Sequence, residues 1–368
     1  MSVSTESLVR LIDASLQADY SGVRRIANEL ASAINDTEPA VAKRLKSLIR
    51  KRGVPLKSSG YSETLPSDPK SRLPLVEEVS WPVTPAFLNQ TSKDVFSTFV
   101  ADATNIEKLV KHGLAGRLNM LLFGPPGTGK TLIAGHVASQ LGKPLYVVRL
   151  ESVISSLLGD TAKNLRSIFD FVPAKGGVLF LDEVDAVAKL RDDKHEVGEL
   201  KRVVNTLIQG LDSLDDTSIV LAATNHPGLL DPAIWRRFPY KIECNLPDFE
   251  VRNILWKHFL FCDLEDLGVC QSLAKISDGL NGADIEIISL ATRRRAVLNE
   301  EEIFLPGVVK SVLESQTSRA VIPYSLSIDG HEKKRLARNL HGDKKLTNAE
   351  IAKLLGVSRQ SVSGYLRG

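Results

Sequence analysis

The 368-residue sequence predicts an α/β fold, with a parallel sheet sandwiched by helices. Four short apolar runs predict the strands, and in chain order they are "MLLFG", "LYVVRL", "GGVLFLDEV" and "SIVLAATN". Helix-length stretches separate these runs, and such alternation is typical of βαβ units. A glycine-rich stretch, "GPPGTGKT", joins the first run to the helix that follows it. These observations indicate a parallel sheet that carries a ligand site at the carboxyl ends of its strands.

The chain is long enough for several domains, and its composition changes along its length. The predicted segments are a helical adaptor (1–52), a linker (53–86), the α/β core (87–247), a helical lid (248–315), a second linker (316–330) and a helix-turn-helix-like domain (331–368). The first linker is assigned on its density of Ser, Pro and Gly, and the lid on continuous helical patterning.

Charge, cysteine content and hydropathy narrow the class of protein. A formal net charge of +3 is too small to indicate nucleic-acid binding by itself. The three cysteines have no metal-ligand spacing, which favours free thiols in a reducing compartment. No apolar run approaches the roughly 20 residues of a membrane helix, and "MSVSTESLVR" at the start lacks the apolar region of a signal peptide. We therefore expect a cytoplasmic protein with no membrane partner.

The glycine-rich stretch matches the pattern G-x-x-x-x-G-K-T in full. Its glycines allow the backbone to curl round an anion, and the helix that follows presents the positive end of its dipole. The lysine can reach the β- and γ-phosphates of a triphosphate, and the threonine hydroxyl can bind Mg²⁺. The pattern therefore predicts a P-loop NTPase with ATP and Mg²⁺ as cofactors. The loop residues expected to bind nucleotide are Gly124, Pro125, Pro126, Gly127, Thr128, Gly129, Lys130, Thr131 and Leu132.

Two further strands end in polar residues. Asp182 emerges at the end of "VLFLD" and can bind Mg²⁺, while Glu183 can polarise a water for attack on the γ-phosphorus. Asn225 follows "IVLAAT", and its amide can hold the attacking water against the γ-phosphate. Asn225 would otherwise serve as the N-cap of the next turn, but its place beside a phosphate loop favours the role of a sensor.

Arg236 and Arg237 lie in a surface turn before an apolar strand, in "LDPAIWRRFPYKIEC". Two adjacent arginines on a surface are usually just solvated. With a nucleotide site on the same domain they suggest an arginine finger, because a guanidinium can stabilise a transferring phosphoryl group.

The ordered set "GPPGTGKT", "VLFLDEVD", "LAATN", "LDPAIWRRFP" and "GLNGADIEII" resembles the AAA family of ATPases. This resemblance implies a ring of identical subunits, usually a hexamer, in which Arg236 and Arg237 reach into the neighbour's site. It also implies that Gly282 and Ala283, in the second sensor region, contact nucleotide through backbone and packing. Gly113 and Leu114, which end "KHGL", resemble the segment that lies along the adenine.

One segment departs from the family pattern. Members that thread polypeptide have an aromatic residue, an apolar residue and glycine in the pore loop after the second strand. The matching residues here are Leu157, Leu158 and Gly159, so the flat aromatic face is missing and axial threading is not implied. The sequence also contains no H-E-x-x-H pattern, so any proteolysis would belong to a separate partner.

The last segment, "KKLTNAEIAKLLGVSRQSVSGYLRG", resembles a helix-turn-helix. Ile351, Ala352 and Leu355 would face a small core, Gly356 would allow the turn, and Ser358 would cap the next helix. A three-helix module that docks protein has the same shape, so both readings stay open. The residues expected to reach DNA are Arg359, Gln360, Ser361, Ser363 and Tyr365.

Two functions are therefore compatible with the sequence. In the first, ATP hydrolysis in a homo-oligomeric ring remodels a protein client, for a separate protease or effector. In the second, ATP-driven assembly regulates occupancy of DNA through the C-terminal segment.

Overall fold

A computed structural model of the protein describes residues 26–27, 30–31, 41–42, 65–68, 72, 74–155, 161–189, 197–263, 267–317, 328–344 and 346–367. The chain forms two compact units, Met1–Leu65 and Pro66–Gly368. In the first unit, residues 26–27, 30–31 and 41–42 are helical, and Ile26, Leu30, Ala31 and Ala42 are buried. Most of the predicted helical adaptor lies outside the described residues.

The second unit is built on a six-stranded mixed sheet with the strand order β1-β3-β4-β5-β2-β6. Strand β1 is antiparallel to β3, and the other neighbouring pairs are parallel. The strands are β1 (Glu77–Val79), β2 (Leu118–Phe123), β3 (Leu145–Arg149), β4 (Val178–Asp182), β5 (Ile219–Thr224) and β6 (Tyr240–Glu243). The α/β class expected from the four apolar runs is confirmed.

Helices flank the sheet and continue beyond it. Those of the α/β part are α1 (Gln90–Thr104), α2 (Ile106–Lys111), α3 (Lys130–Leu141), α4 (Leu150–Ser155), α5 (Thr161–Lys175), α6 (Ala186–Lys189), α7 (Val197–Ser213) and α8 (Pro232–Trp235). The later helices are α9 (Phe249–Phe261), α10 (Leu267–Ile276), α11 (Gly282–Asn299), α12 (Leu305–Thr317), α13 (Gly330–Gly342), α14 (Asn348–Leu355) and α15 (Arg359–Arg367). None of the helices in the described residues combines the length and the hydropathy that a membrane span requires.

The central strands are continuously apolar because helices cover both faces of the sheet. Every residue of β5 is buried, and so are the first five of β2. Asn119 is the polar residue of β2, and its Nδ2 donates to the backbone oxygen of Arg237 at 2.9 Å. This hydrogen bond ties strand β2 to the turn that contains Arg236 and Arg237.

The first linker is shorter than the sequence predicts, because its second half belongs to the α/β unit. Residues 77–79 form β1, which pairs with β3, and an isolated bridge joins Ser67 to Pro74. Asp68 is buried and accepts a hydrogen bond at 2.8 Å from Nδ2 of Asn164, also buried. Composition concealed this because β1 has only three residues, two of which are glutamates.

The C-terminal helices share a hydrophobic core with the lid, whereas the sequence suggests a separate domain. The shared cluster includes Trp256, Leu273, Ile288 and Val312 from the lid and Leu336, Ile351, Leu355 and Val362 from the last three helices. Polar contacts reinforce it: Lys275 pairs with Glu350, and Lys310 pairs with Glu332, each at 2.7 Å. The lid and helices α13–α15 therefore form one packed body.

Candidate nucleotide-binding site

Three strand ends meet at the carboxyl edge of the sheet. Because β2 lies beside β5 and β5 beside β4, the residues that follow them converge. The backbone N–H of Gly124 donates to the oxygen of Thr224 at 3.2 Å, and that of Val184 donates to the oxygen of Ala223 at 2.9 Å. The phosphate loop, Asp182 and Asn225 are brought to one place by this register.

The phosphate loop curls between β2 and α3. Gly124, Gly127 and Gly129 have φ values of 144°, 74° and 85°. A Cβ on Gly127 would lie 2.6 Å from Nδ2 of Asn281, so only glycine allows this approach of the lid. Lys130 is buried, and its Nζ donates to the oxygens of Gly124 and Pro125 at 2.8 Å each. Burial lowers the pKa of Lys130, the main cause being the loss of solvation.

The acidic pair at the end of β4 has an unusual backbone. Glu183 has a φ of 55°, a left-handed conformation that is uncommon for a residue with a side chain and that is enriched at functional sites. Its N–H donates to Oδ1 of Asp182 at 3.0 Å. Burial raises the pKa of Asp182, and this effect exceeds the opposing influence of the Glu183 N–H and of the Lys130 charge. A carboxylate here therefore gains stability from a cation.

Asn225 is positioned by a polar cluster beneath it. The hydroxyl of Thr224 donates to Oδ1 of buried Asp185 at 2.9 Å and accepts from the N–H of His226 at 3.0 Å. Oδ1 of Asn225 is buried without a hydrogen-bond partner in the described part of the chain. A buried amide oxygen of this kind favours a ligand that can donate a hydrogen bond, such as water.

One cavity of about 480 Å³ joins these groups. Its polar part is lined by Pro126 to Leu132 together with Asp182, Glu183 and Asn225. Its apolar part is lined by Phe87 and Leu88, before α1, and by Val251, Leu255 and Phe259 of α9. This division suits a ligand with an anionic chain at one end and a flat ring at the other.

The lid meets the phosphate loop directly. The N–H of Ala283 donates to the oxygen of Gly127 at 3.3 Å, and Gly282 and Ala283 both line the cavity. Asn281 begins α11, with its side chain and that of Asp284 forming a reciprocal capping box. The N-terminus of α11 therefore faces the glycine-rich loop.

Residues 120–246 match the model of the family described as ATPases associated with various cellular activities. The matched range contains the glycine loop, Asp182, Glu183, Asn225 and both arginines. Residues 120–246 form an AAA ATPase domain.

Similar proteins agree with this assignment. An uncharacterized AAA family ATPase of Sinorhizobium fredii is 45% identical over 202 residues, covering 54% of this chain and 60% of that protein. A proteasome-activating nucleotidase of Methanococcus maripaludis is 32% identical over 242 residues, covering 63% of this chain and 59% of that protein. The chain thus spans about 60% of the length of these relatives.

Solved structures support the fold. The crystal structure of the FIGL-1 AAA domain in complex with ADP superposes with a TM-score of 0.51 at 22% identity. The match covers 72% of this chain and 92% of that chain. The similarity therefore extends well beyond the 120–246 range of the AAA domain.

The two arginines of the AAA domain differ in their surroundings. Arg237 is tied down, since its guanidinium contacts Asp212 at 3.1 Å and the oxygen of Ala233 at 3.0 Å. Arg236 is exposed, and its guanidinium forms no hydrogen bond or ion pair with any other residue that the structure describes. Neither arginine lines the cavity of its own chain.

Gly113 and Leu114, which the resemblance placed along the adenine, do not line the cavity. They follow α2 and precede β2, so they lie at the amino edge of the sheet, opposite the phosphate loop, and Leu114 is 69% exposed. The segment from Thr84 to Asn89 lines the apolar part instead. Its prolines and the N-cap Asn89 were visible in the sequence, but only the tertiary fold shows that they meet α9. Leu157, Leu158 and Gly159 lie outside the described residues.

The C-terminal helices follow the expected helix-turn-helix pattern only in part. Gly356 has a φ of 60°, and Oγ of Ser358 accepts from the N–H of Ser361 at 3.1 Å. Arg359 and Gln360 are exposed, whereas Ser361 and Ser363 are half-buried. Tyr365 was expected to face outward, but it packs against the core shared with the lid. Its ring follows Val362 on the inward face, because residues three apart lie on one side of a helix.

We expect Asp182→Asn to raise the thermal stability of the nucleotide-free protein. Burial raises the folded-state pKa above the unfolded value, so the ionised carboxylate disfavours folding, and this cost is relieved only as pH falls through the folded pKa. If Asp182 binds Mg²⁺, as the sequence predicts, the variant should also lose most of any stabilisation by Mg²⁺ with ADP. Thermal unfolding with and without ligand measures both; a lower midpoint without ligand and an undiminished ligand effect would contradict the assignment.

Proposed function

We propose that the protein is a Mg²⁺-dependent ATPase that assembles as a homo-oligomeric ring, a hexamer, and remodels a protein partner. The main support for this proposal is that Arg236 lies apart from the cavity that holds the other predicted catalytic residues. One cavity collects the phosphate loop, Asp182, Glu183 and Asn225, while Arg236 stands exposed outside that cavity. A second subunit would supply the guanidinium group that the cavity lacks within its own chain.

The phosphate loop and α3 would bind the triphosphate. Lys130 would exchange its two backbone oxygen partners for β- and γ-phosphate oxygens, which satisfies its buried charge better than carbonyl groups do. Thr131 and Asp182 both line the cavity and offer the oxygen ligands that Mg²⁺ prefers. Mg²⁺ bound there would neutralise charge on the phosphates. Gly282 and Ala283 would close the lid over the nucleotide.

Glu183 and Asn225 would prepare the attacking water. The left-handed backbone of Glu183 projects its carboxylate from the end of the strand into the cavity wall, where it would accept a proton from water. The unpartnered Oδ1 of Asn225 would accept a second hydrogen bond from the same water. Together they would orient it towards the γ-phosphorus.

Arg236 and Arg237 would complete the site of the next subunit. A guanidinium in the water-excluded site would stabilise charge on the transferring phosphoryl group. Asp212 and Asn119 would hold Arg237 and its backbone in register, while the exposed Arg236 would extend across the boundary. Hydrolysis would then depend on assembly and change the contact between neighbours, which is the step that moves a bound client.

The proposed remodelling role rests on the sequence similarity of the AAA domain to proteasome-activating nucleotidases. This similarity supports a cytoplasmic protein client as the partner, which the ring would deliver to a separate protease or effector. Native mass spectrometry with a slowly hydrolysed ATP analogue should show six copies, and the analogue-free protein smaller species. A monomer under both conditions at micromolar concentration would contradict the ring.

A DNA-associated switch is the second candidate, and the exposed Arg359 and Gln360 on α15 support it. Removing residues 331–368 would expose the hydrophobic core that these helices share with the lid, so point variants are the better test. Arg359→Ala with Gln360→Ala should weaken a gel shift at low salt, where phosphate contacts are strongest. No shift by the unchanged protein under those conditions would leave the C-terminal helices a docking surface for protein.

A further inference from the structure

The segment before α1 crosses the helix that carries the phosphate-binding residues. Nε1 of Trp81 donates to the oxygen of Lys143 at 2.9 Å, just beyond the end of α3. Pro82 sits against Gly135 in the middle of α3, where a Cβ would lie 2.7 Å from its Cδ. Nε2 of His136 lies 2.8 Å from the oxygen of Thr84 and donates to it, because a carbonyl oxygen can only accept. Gly135 and His136 therefore hold residues 81–84 against α3.

This segment continues directly into the apolar wall of the cavity. Thr84, Pro85, Phe87 and Leu88 line the cavity, whereas His136 does not. The downstream end is fastened at Asn89, whose side chain accepts from the N–H of Ser92 at 2.8 Å. The span between Thr84 and Asn89 is thus held at both ends and crosses the part of the cavity that suits a flat ring.

The span also touches the lid. The ring of Phe87 lies 5.3 Å from that of His258 and 6.3 Å from that of Phe259, between ring centroids. His258 and Phe259 belong to α9, which also lines the apolar part of the cavity. The distance between α3 and the segment from Thr84 to Asn89 therefore affects the width of that part.

We propose that His136 is a positioning residue for the nucleotide base, and that Gly135 is required for the same purpose. His136 acts through the oxygen of Thr84 and touches neither base nor phosphate. It lies one turn after Leu132 and Ile133, which line the cavity, so one helix sets both the phosphate site and the base site. The inference rests on the proposed binding of an adenine nucleotide but not on its hydrolysis.

The test compares ADP with inorganic tripolyphosphate, both with Mg²⁺, by calorimetric titration of the full chain. Tripolyphosphate lacks a base and reports only the phosphate site. His136→Ala should raise the Kd of ADP roughly fivefold, as expected for one lost hydrogen bond, and leave that of tripolyphosphate within about twofold. His136→Gln should restore much of the ADP affinity, because its amide can donate to the same oxygen.

Two further variants separate positioning from general damage. Gly135→Ala should weaken ADP but not tripolyphosphate, since its methyl group displaces Pro82. His112→Ala is the matched control. Nδ1 of His112 also lies 2.8 Å from a backbone oxygen, that of Lys108, but His112 does not line the cavity, and the variant should bind both ligands normally.

Unchanged ADP affinity in His136→Ala would overturn the inference, and so would an equal loss for both ligands, which would mark His136 as a support of α3 as a whole. If the proposed ATPase activity were wrong, the result would be different. The unchanged protein would bind ADP but release no phosphate from ATP, and the affinities for ADP and tripolyphosphate could still be compared.

Discussion

Glu183→Gln should lower the turnover number for ATP by roughly 100- to 10,000-fold, the usual contribution of a general base. The amide cannot accept the proton of the attacking water, although it retains the size and shape of the carboxylate. Binding should survive, because Lys130 and Asp182 are unchanged, and the variant should accumulate as an ATP-bound ring. Phosphate release and native mass measure the two effects.

Glu107→Gln is the matched control, since Glu107 is an exposed carboxylate on α2 that does not line the cavity. It should hydrolyse ATP at the unchanged rate. Phosphate release by Glu183→Gln at that same rate would remove Glu183 from the chemistry and leave the left-handed backbone at this position without a function.

Arg236→Ala should lower turnover by roughly 1,000-fold, as is typical when an arginine finger is lost. Its own cavity is untouched, so the KM for ATP should change little, and the loss should fall on kcat. Arg236→Lys should recover only part of the rate, because an ammonium group cannot reproduce the planar fork of the guanidinium. A steady-state kinetic series on the three proteins gives this comparison.

Arg237 is the alternative candidate for the arginine finger. If Arg236→Ala keeps full turnover while Arg237→Ala abolishes it at unchanged thermal stability, the exposed side chain is not the finger. Arg237 would then have to leave Asp212 when a neighbour binds, since the two are in contact within one chain.

Local patterns in the sequence predicted the polar residues that the structure brings together in one cavity. The glycine loop and Asn225 each follow a strand whose apolar run is unambiguous, and Asp182 ends another. The parallel order then brings all three to one edge of the sheet. The short strand β1 escaped prediction because two of its three residues are glutamates on an edge of the sheet, and the alternation of apolar residues that marks a strand is therefore missing.

The base side of the cavity could not be read in the same way. Its wall depends on Phe87 meeting Phe259, which lie 172 positions apart and share no local pattern. The helices of the C-terminal segment were recognisable from their caps and spacing, but Tyr365 was assigned to the outward face with its polar neighbours. Its spacing of three residues from buried Val362 was the signal for the inward face, and the core shared with the lid covers that face.

If a neighbouring subunit completes each active site, mixing two inactive variants should restore hydrolysis. Arg236→Ala retains a complete cavity, and Glu183→Gln retains the arginine. Combined in equal amounts before ATP is added, they should regain turnover, because about one site in four would pair an intact cavity with an intact arginine. Activity that stays at the sum of the two separate variants, in a mixture shown by native mass to contain mixed rings, would show that a neighbour does not complete the site.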